Sequence, residues 1–237
     1  MTCQRRNSPR KGALPAWRDK MPAVHASRAP RSLGRLVRAP GVKTGLIGQE
    51  KDVQRSQLLM KRRSLRGVKK PTFPKGYSLR TYQQGDDAHW ARIISEAFRT
   101  QCPPSVFWRE IADQKLFRPE RVFFLLHQGE PVGTATAWAK PEFGSRAGYV
   151  HMVGLLPEYT GKGLGKKLTA AVLWYFTEHG LTSAFLHTDD HRIPAIRIYL
   201  ELDFEPVVEG EDDRKRWVEV FRDLKRPDLS HRYCGEE

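Results

Sequence analysis

Cysteine is scarce in this sequence of 237 residues, and its three copies lie far apart: Cys3, Cys102 and Cys234. That spacing fits neither a disulfide framework nor a metal knuckle. Hydrophobic runs are short as well, and none approaches the ~18–20 uninterrupted apolar residues of a membrane span. No cluster of His, Cys, Asp and Glu has metal-ligand spacing. The sequence therefore predicts a cytoplasmic protein without a metal ion and without a transmembrane helix.

Acidic residues are also scarce, but only in the first part of the chain. Residues 1–70 contain 19 Lys and Arg against 3 Asp and Glu, whereas residues 71–237 contain 22 against 24. The net charge of +14 therefore belongs to the N-terminal part. Such a tail could bind nucleic acid, but the remainder lacks the basic surface for it.

The first 59 residues are rich in Pro, Gly, Ser and Arg and show no sustained period. Such a segment buries too little apolar surface to fold, so we predict a basic, disordered tail over residues 1–70 and a folded domain over residues 71–237. An organellar address signal is one alternative, although no apolar region typical of secretion signals is present. Another is that synthesis begins at Met60.

From residue 77 onward, apolar residues recur with the periods of strands and helices. The predicted strands are 77–82, 121–127, 131–139, 148–155, 183–188, 204–208 and 217–221. The predicted helices are 86–98, 105–113, 163–178 and 192–202. An antiparallel set of strands comes first and strands then alternate with helices. The predicted class is α/β, with a mixed, mostly antiparallel sheet flanked by helices.

The most informative segment, residues 153–168, joins a strand to a helix and reads VGLLPEYTGKGLGKKL. Three glycines occupy alternate positions in its loop: Gly161, Gly163 and Gly165. Without Cβ atoms, they let backbone N–H groups approach a ligand at the positive end of the following helix. Three lysines add positive charge: Lys162, Lys166 and Lys167. The segment predicts a pyrophosphate site, and the alternative is a glycine-rich helix start without a ligand.

Two common phosphate motifs do not fit this loop. A P-loop needs glycine at Thr160, and a dinucleotide fingerprint needs it at Lys166 or Leu168. The spacing instead resembles the acetyl-CoA loop of the GNAT acetyltransferase superfamily, Arg/Gln-x-x-Gly-x-Gly/Ala.

A second segment, residues 187–204, strengthens the resemblance. It reads HTDDHRIPAIRIYLELDF and is similar to the superfamily signature Asn-x-x-Ala-x-x-Leu-Tyr-x-x-x-Gly-Phe. Four residues fall at matching positions: Ala195, Ile198, Tyr199 and Phe204. The resemblance covers roughly residues 75–222 and implies a GNAT-like acyl-CoA N-acyltransferase fold.

Three positions depart from the superfamily pattern. Thr160 replaces an Arg or Gln, which removes a contact to the pyrophosphate, and Arg192 replaces an Asn that often contacts the cofactor. Asp203 replaces a glycine at a helix end, where Asp can adopt the left-handed conformation at some cost. These departures concern cofactor affinity more than fold.

The resemblance also implies which residues bind acetyl-CoA: Val153, Gly154, Leu155, Gly161, Lys162, Gly163, Leu164, Gly165 and Lys166. The pantetheine arm would pair along residues 153–155 like an added strand. A bulge in the strand 148–155 would turn the N–H of Leu155 towards the thioester oxygen, where a donor stabilises developing negative charge.

The same resemblance makes Tyr199 the general acid that protonates the departing CoA thiolate, whereas helical spacing alone favours core packing. A primary amine with a pKa of ~10.4 is protonated at neutral pH, so a base or a desolvating pocket must release the free amine. His187 is the favoured base. Its rival is His151, placed two residues before Val153 on the same strand face. A structural role is the alternative for either histidine.

The function that follows is transfer of an acetyl group from acetyl-CoA to a primary amine of a small molecule or protein by direct attack. The alternatives are a non-catalytic acyl-CoA-binding regulatory module and a nucleic-acid- or ribosome-associated protein that uses the basic tail. The expected partners are acetyl-CoA and an amine acceptor that the sequence does not identify, with nucleic acid contacted only through the tail.

Overall fold

The computed structural model of the protein describes residues 56–235. The strands are β1 (Leu58–Arg62), β2 (Tyr77–Thr81), β3 (Val122–His127), β4 (Glu130–Trp138), β5 (Ala147–Leu155), β6 (Ser183–Thr188) and β7 (Glu205–Pro206). The α-helices are α1 (Asp87–Phe98), α2 (Pro104–Phe107), α3 (Leu164–Glu178), α4 (Ile193–Glu201), α5 (Glu211–Asp223) and α6 (Pro227–Cys234). Within residues 56–235, no helix combines the length and apolar character that crossing a bilayer requires.

All seven strands belong to one sheet, in the order β2-β3-β4-β5-β6-β1-β7. Neighbouring strands are antiparallel except β5 and β6, which run parallel. A parallel pair requires a crossover connection, and α3 provides it. The predicted class, a mixed and mostly antiparallel sheet flanked by helices, is confirmed.

Glycines in β5 show which helix covers each face of the sheet. A Cβ on Gly154 would lie 3.1 Å from the Cβ of Ala97 in α1. A Cβ on Gly148 would instead collide with the ring of Phe176 in α3. The two helices therefore pack on opposite faces of β5, and each approaches the strand too closely for a larger residue at these positions.

A β-bulge explains why two glycines six residues apart face opposite sides. Thr136 of β4 lies opposite His151 and Thr134 lies opposite Gly154, so β5 uses one more residue than β4 over this stretch. Within it, Met152 adopts a left-handed conformation with φ +51°. Because side chains alternate with a period of two, the extra residue brings Gly154 rather than Val153 to the face of His151. The prediction that His151 and Val153 share a face is wrong.

The predicted boundary at residue 70 is wrong for β1, which lies inside the sheet between β6 and β7. Leu58, Met60 and Arg62 alternate as buried residues along it, and Met60 is fully buried. Arg62 is only 8% exposed, and its guanidinium donates to the carbonyl oxygen of Leu202 and to two further oxygens. A chain that began at Met60 would lack the first two residues of this strand. The tail prediction for residues 1–55 lies outside the described residues.

The predicted last strand, 217–221, is wrong because this segment belongs to helix α5. Its apolar residues Trp217, Val220 and Phe221 are spaced for one helical face, and all three are buried. Acidic residues in the first turn suit the positive end of the helix. Of the predicted strand 204–208, only Glu205–Pro206 pairs, with β1.

The end of α4 shows how Asp203 takes the place of a glycine. Its φ is +57°, so the predicted left-handed conformation is confirmed. The turn brings the N–H of Phe204 to the carbonyl oxygen of Tyr199, at 3.0 Å. The Asp203 carboxylate, which a glycine would lack, lies 3.2 Å from the guanidinium of Arg62.

Candidate active site

Strands β5 and β6 separate after three paired positions. Their parallel pairing covers only Ala147–Tyr149 of β5, although β5 continues to Leu155 and β6 to Thr188. The bulge at Met152 lies in the unpaired part of β5, where it increases the local twist. The result is a cleft, and one wall of it is an edge of β5 that has no strand partner within residues 56–235.

A cavity of about 80 Å³ lies in this cleft. The residues that line it are Gln57, Phe98, Tyr149, Val150, His151, Met152, Val153, His187, Arg192 and Tyr199. The structure thus brings together both candidate bases, the candidate acid and the first residue of the predicted pantetheine strand. Those residues come from β5, β6 and α4, and the other walls come from α1 and the segment that leads into β1.

The direction of the Leu155 N–H follows from the hydrogen bond of the next residue. The next N–H, that of Leu156, donates to the carbonyl oxygen of Val132 on the β4 side, at 2.9 Å. Because successive N–H groups of a strand point to opposite edges, the Leu155 N–H faces away from β4. It therefore lies on the edge of β5 from which the cleft opens, and its role as the oxyanion donor stays a prediction.

The glycine loop connects β5 to α3, and two of its glycines have left-handed backbones. Gly161 has φ +72° and Gly163, the N-cap of α3, has φ +70°, with open space around both. Side chains are disfavoured there by the backbone rather than by neighbours. The first N–H groups of α3 have no acceptor within the helix, so they can bind an anion.

Gly165 has a different role from the other two loop glycines. A Cβ there would lie 3.3 Å from Ile198 of α4 and 3.6 Å from Leu155 of β5. Its small size therefore allows α3 to pack against its neighbours, and only its backbone remains for a ligand. Leu164 beside it is buried in the core.

The lysines of the loop are not equivalent. Lys166 places its Nζ 2.9 Å from a carboxylate oxygen of Glu201, and Lys167 donates to the carbonyl oxygen of Thr72 at 2.8 Å. Lys162 has no such partner within residues 56–235 and lies 5.1 Å from the ring centroid of Tyr159. Within residues 56–235, Lys162 is therefore the loop lysine whose ammonium group has no hydrogen-bond acceptor, and only Lys166 is paired with a carboxylate.

Tyr199 combines a packed ring with a hydroxyl that has no partner. The side chain is 7% exposed, and its ring contacts Phe204 edge-on. Within the described part of the chain, the hydroxyl forms no hydrogen bond, although Tyr199 lines the cavity. Burial raises the pKa of Tyr199, so the group keeps its proton at neutral pH. A general acid needs that property.

His187 is hydrogen-bonded to Tyr149, with 3.0 Å between its Nδ1 and the phenolic oxygen. Burial raises the pKa of Tyr149 to about 12, so this phenol stays protonated. Burial, followed by the charge of Lys140, lowers the pKa of His187 and keeps the imidazole neutral. If the phenol donates to Nδ1, the other ring nitrogen carries the imidazole proton; if Nδ1 donates, that nitrogen can accept one.

His151 lies on the same face of β5 as Tyr149, and its ring forms no hydrogen bond within residues 56–235. Burial and, secondarily, Lys140 lower the pKa of His151 to about 4. Lys140 itself lies over the Tyr149 ring, 4.4 Å from its centroid. Both histidines are therefore neutral at pH 7. The strongly lowered pKa makes the His151 imidazole a weak proton acceptor.

Five cavity residues were not singled out from the sequence, and three of them have polar or aromatic side chains: Gln57, Phe98 and Tyr149. Tyr149 precedes His151 by two positions, a strand spacing that could have revealed it. Gln57 belongs to the segment assigned to the tail, and Phe98 was treated only as a helix end. Among residues 56–235, no group of three or more His, Cys, Asp or Glu side chains could hold a metal ion.

Residues 88–204 match the model of the family described as Acetyltransferase (GNAT) family. A mycothiol acetyltransferase of Streptomyces bingchenggensis is 34% identical over 137 residues, which are 56% of this chain and 44% of that protein. The mycothiol acetyltransferase of Streptomyces coelicolor is 34% identical over 155 residues, 62% of this chain and 50% of that protein. This chain thus spans about half the length of these relatives.

A solved structure, a GCN5-related N-acetyltransferase from Sphaerobacter thermophilus, superposes with a TM-score of 0.53 at 21% identity. The superposition covers 63% of this chain and 48% of that one. It supports the fold that the two sequence motifs predicted.

Proposed function

We propose that the protein, whose residues 88–204 match the model of the acetyltransferase (GNAT) family, is a member of that family and transfers an acetyl group from acetyl-CoA to a primary amine. The observation that carries the proposal is the Tyr199 hydroxyl, which has no hydrogen-bond partner among the described residues and lies in one cavity with two neutral histidines. The identity to mycothiol acetyltransferases favours a small-molecule amine over a protein as the acceptor. The proposal keeps the cytoplasmic location expected from the sequence.

Acetyl-CoA fits the cleft by the chemistry of its two halves. The pyrophosphate would lie on the N–H groups around Gly161, Gly163 and Leu164, with Lys162 as the cation. The pantetheine arm would follow Val153-Gly154-Leu155 and hydrogen-bond to the unpaired edge of β5. Lys166 and Gly165 contribute less than the sequence suggests, because one is paired with Glu201 and the other serves packing.

The reaction forms a C–N bond and breaks the C–S bond of the thioester. His187 is the proposed acceptor for the amine proton, directly or through water, since His151 with a pKa of about 4 is a poor match for an amine near ~10.4. The N–H of Leu155 faces the cleft and would stabilise the negative charge on the acyl oxygen. Tyr199 would supply the proton that the departing sulfur takes up.

The test is a direct one on the purified full-length chain. Acetyl-CoA should raise the melting temperature, and an amine panel should show acceptor-dependent release of free CoA thiol. Binding without turnover of any amine would favour the alternative of a non-catalytic acyl-CoA-binding module. Absence of both signals would contradict the cofactor assignment itself.

A further inference from the structure

Arg192 is a charged residue of the cavity wall that lacks a charged partner. It is half-buried at the start of α4, where its carbonyl oxygen accepts hydrogen bonds from the N–H groups of Ala195 and Ile196. Within residues 56–235, no carboxylate forms an ion pair with its guanidinium. A half-buried cation without a counter-ion is costly unless something else compensates it.

The two nearest acids in the sequence are occupied elsewhere. Asp189 accepts a hydrogen bond from the amide of Gln57, at 3.1 Å. Asp190 binds the guanidinium of Arg216 through both carboxylate oxygens, at 2.9 and 2.6 Å. Neither carboxylate of the loop before α4 thus forms an ion pair with Arg192, although among the described residues only Asp190 has a cationic partner of its own.

An aromatic ring holds the guanidinium at the cavity wall. The central carbon of the Arg192 guanidinium lies 4.0 Å from the ring centroid of Phe98, at the end of α1. Such cation–π stacking orients the planar group but does not neutralise its charge, so its N–H donors remain available. Arg192 is therefore positioned to bind an anion.

The charge of Arg192 also bears on which amines can enter. A simple protonated amine would meet a like charge in a partly desolvated cavity, which is unfavourable. A molecule that carries a carboxylate as well brings a compensating charge, and a guanidinium binds carboxylates through two parallel hydrogen bonds. The cavity measures only about 80 Å³, so the two groups must be a few bonds apart.

We propose that Arg192 selects acceptors that carry a carboxylate close to the primary amine, such as a small amino acid or an amino acid derivative. The carboxylate binds at Arg192, and the amine then lies on the side of the cavity that His187 and His151 form. This inference rests on the proposed function and specifies the class of its acceptor.

The experiment uses matched pairs of acceptors with the full-length protein and acetyl-CoA. Glycine, alanine, β-alanine and leucine are each compared with the corresponding amide, and kcat/KM is measured by release of free thiol. The wild type should prefer the carboxylate member, and Arg192→Gln should reduce this preference by about 10–100-fold, the value of a hydrogen bond to a charged group. Because the ratio is compared between proteins, the intrinsic reactivity of each amine cancels.

Arg197→Gln is the matched control, since Arg197 lies on the same helix, is exposed and does not line the cavity. It should retain the wild-type ratio. Arg192→Lys keeps the charge without the planar group and should retain part of the preference, which also covers the case in which Arg192→Gln fails to fold. An unchanged ratio in a folded Arg192→Gln protein overturns the inference.

A binding measurement separates this inference from the proposed function. N-acetylglycine and N-acetylglycinamide are titrated into the CoA-saturated protein by calorimetry, without any need for turnover. Carboxylate-dependent binding that Arg192→Gln abolishes supports the inference even if no amine is acetylated. Turnover of the amides at a normal rate, with no preference for the carboxylate members, would support the proposed function and reject the role of Arg192. That role would also be rejected if Arg192→Gln weakened only the affinity for CoA.

Discussion

The phenolic oxygen of Tyr149 and Nδ1 of His187 lie 3.0 Å apart and join two strands at the point where their backbone pairing has ended. The hydrogen bond fixes the imidazole ring in the cleft and determines which ring nitrogen can exchange a proton. In the proposed reaction, with His187 as the base, Tyr149 would act through His187 and would be a positioning residue rather than a catalytic one.

Tyr149→Phe should lower kcat by about 10-fold, a typical coupling between hydrogen-bonded residues, because His187 loses the partner that orients it. Affinity for CoA should change little. In a double-mutant cycle, His187→Gln should cost less in the Tyr149→Phe background than in the wild type. Strictly additive effects would show that the two residues act separately.

Loss of the acidic limb of the pH–rate profile in His187→Gln, but not in His151→Gln, would identify His187 as the base.

Tyr199→Phe should lower kcat by ~10²–10⁴-fold, the usual contribution of a general acid. The melting temperature should be nearly unchanged, since the hydroxyl has no hydrogen-bond partner to lose within residues 56–235. Tyr175→Phe, in α3 and outside the cavity, is the control for loss of a tyrosine hydroxyl and should retain full activity. A fully active Tyr199→Phe enzyme, measured where chemistry limits the rate, would reject the acid role in favour of core packing.

Gly163→Asp should abolish the increase in melting temperature that acetyl-CoA causes, because it brings a side chain and a negative charge to the pyrophosphate site. With ligand ~100-fold above its dissociation constant, the stabilisation lost is ~2.7 kcal/mol. Gly180→Asp is a matched control, since Gly180 has φ +74° and open surroundings beyond the far end of α3. It should strain the backbone similarly yet retain the shift. Gly163→Asn introduces a side chain of similar size without the negative charge and so separates strain from charge. If acetyl-CoA still raised the melting temperature of Gly163→Asp, the loop assignment would be contradicted.

His151 should make the fold sensitive to acid. Its folded pKa is about 4 against an unfolded value near ~6.5, so the unfolded chain takes up the proton first as the pH falls. The stabilisation is complete above pH ~6.5 and is lost progressively down to about pH 4, by at most about 3 kcal/mol. In urea unfolding at pH 7 and pH 4.5, His151→Asn should lose less stability between the two values than the wild type. Equal losses would place the acid sensitivity elsewhere.

A chain that begins at residue 56 should fold cooperatively and bind acetyl-CoA, whereas one that begins at residue 71 should not. The second lacks β1 and thus the burial of Leu58 and Met60, each of which contributes ~1.5–3 kcal/mol. It also exposes the edges of β6 and β7. Circular dichroism melts of both fragments check this. A cooperative melt of the shorter fragment would show that β1 is dispensable. If the full-length protein binds polyanions in a salt-sensitive way, both fragments should have lost this binding.

Local patterns predicted much of the fold and of the site. The alternation in 183–188 and the glycine before the helix at 164 depend on neighbouring residues, and the structure reproduces both within a residue or two. Strand β1 was not predicted because its alternation spans only five residues. Its partner β6, which makes it part of the sheet, lies more than 120 residues away in the sequence. The segment 217–221 was misassigned because five apolar-rich residues fit either period, and the acidic turn at 211–213 that identifies the helix lies outside it.

The resemblance predicted several residues of the candidate site, whereas the way they share a face depends on pairing between distant strands. Tyr199, His187 and the glycine loop could be named from two motifs. The bulge could not, since Met152 has no side-chain preference for a left-handed backbone. The bulge decides which residues of β5 share a face with His151, and no pattern within β5 alone contains that information.

The position of β1 between β6 and β7 has a consequence for folding kinetics. During synthesis this strand emerges before all other strands described, but its partners at 184–188 and 205–206 emerge only after more than a hundred further residues. Pairing across such a separation is slow because a large loop must close first. Until then, β1 and the edge of β6 expose apolar strand surface, a state in which chaperone binding competes with aggregation. Mutations that weaken β1 should therefore reduce the yield of folded protein before they affect the finished enzyme.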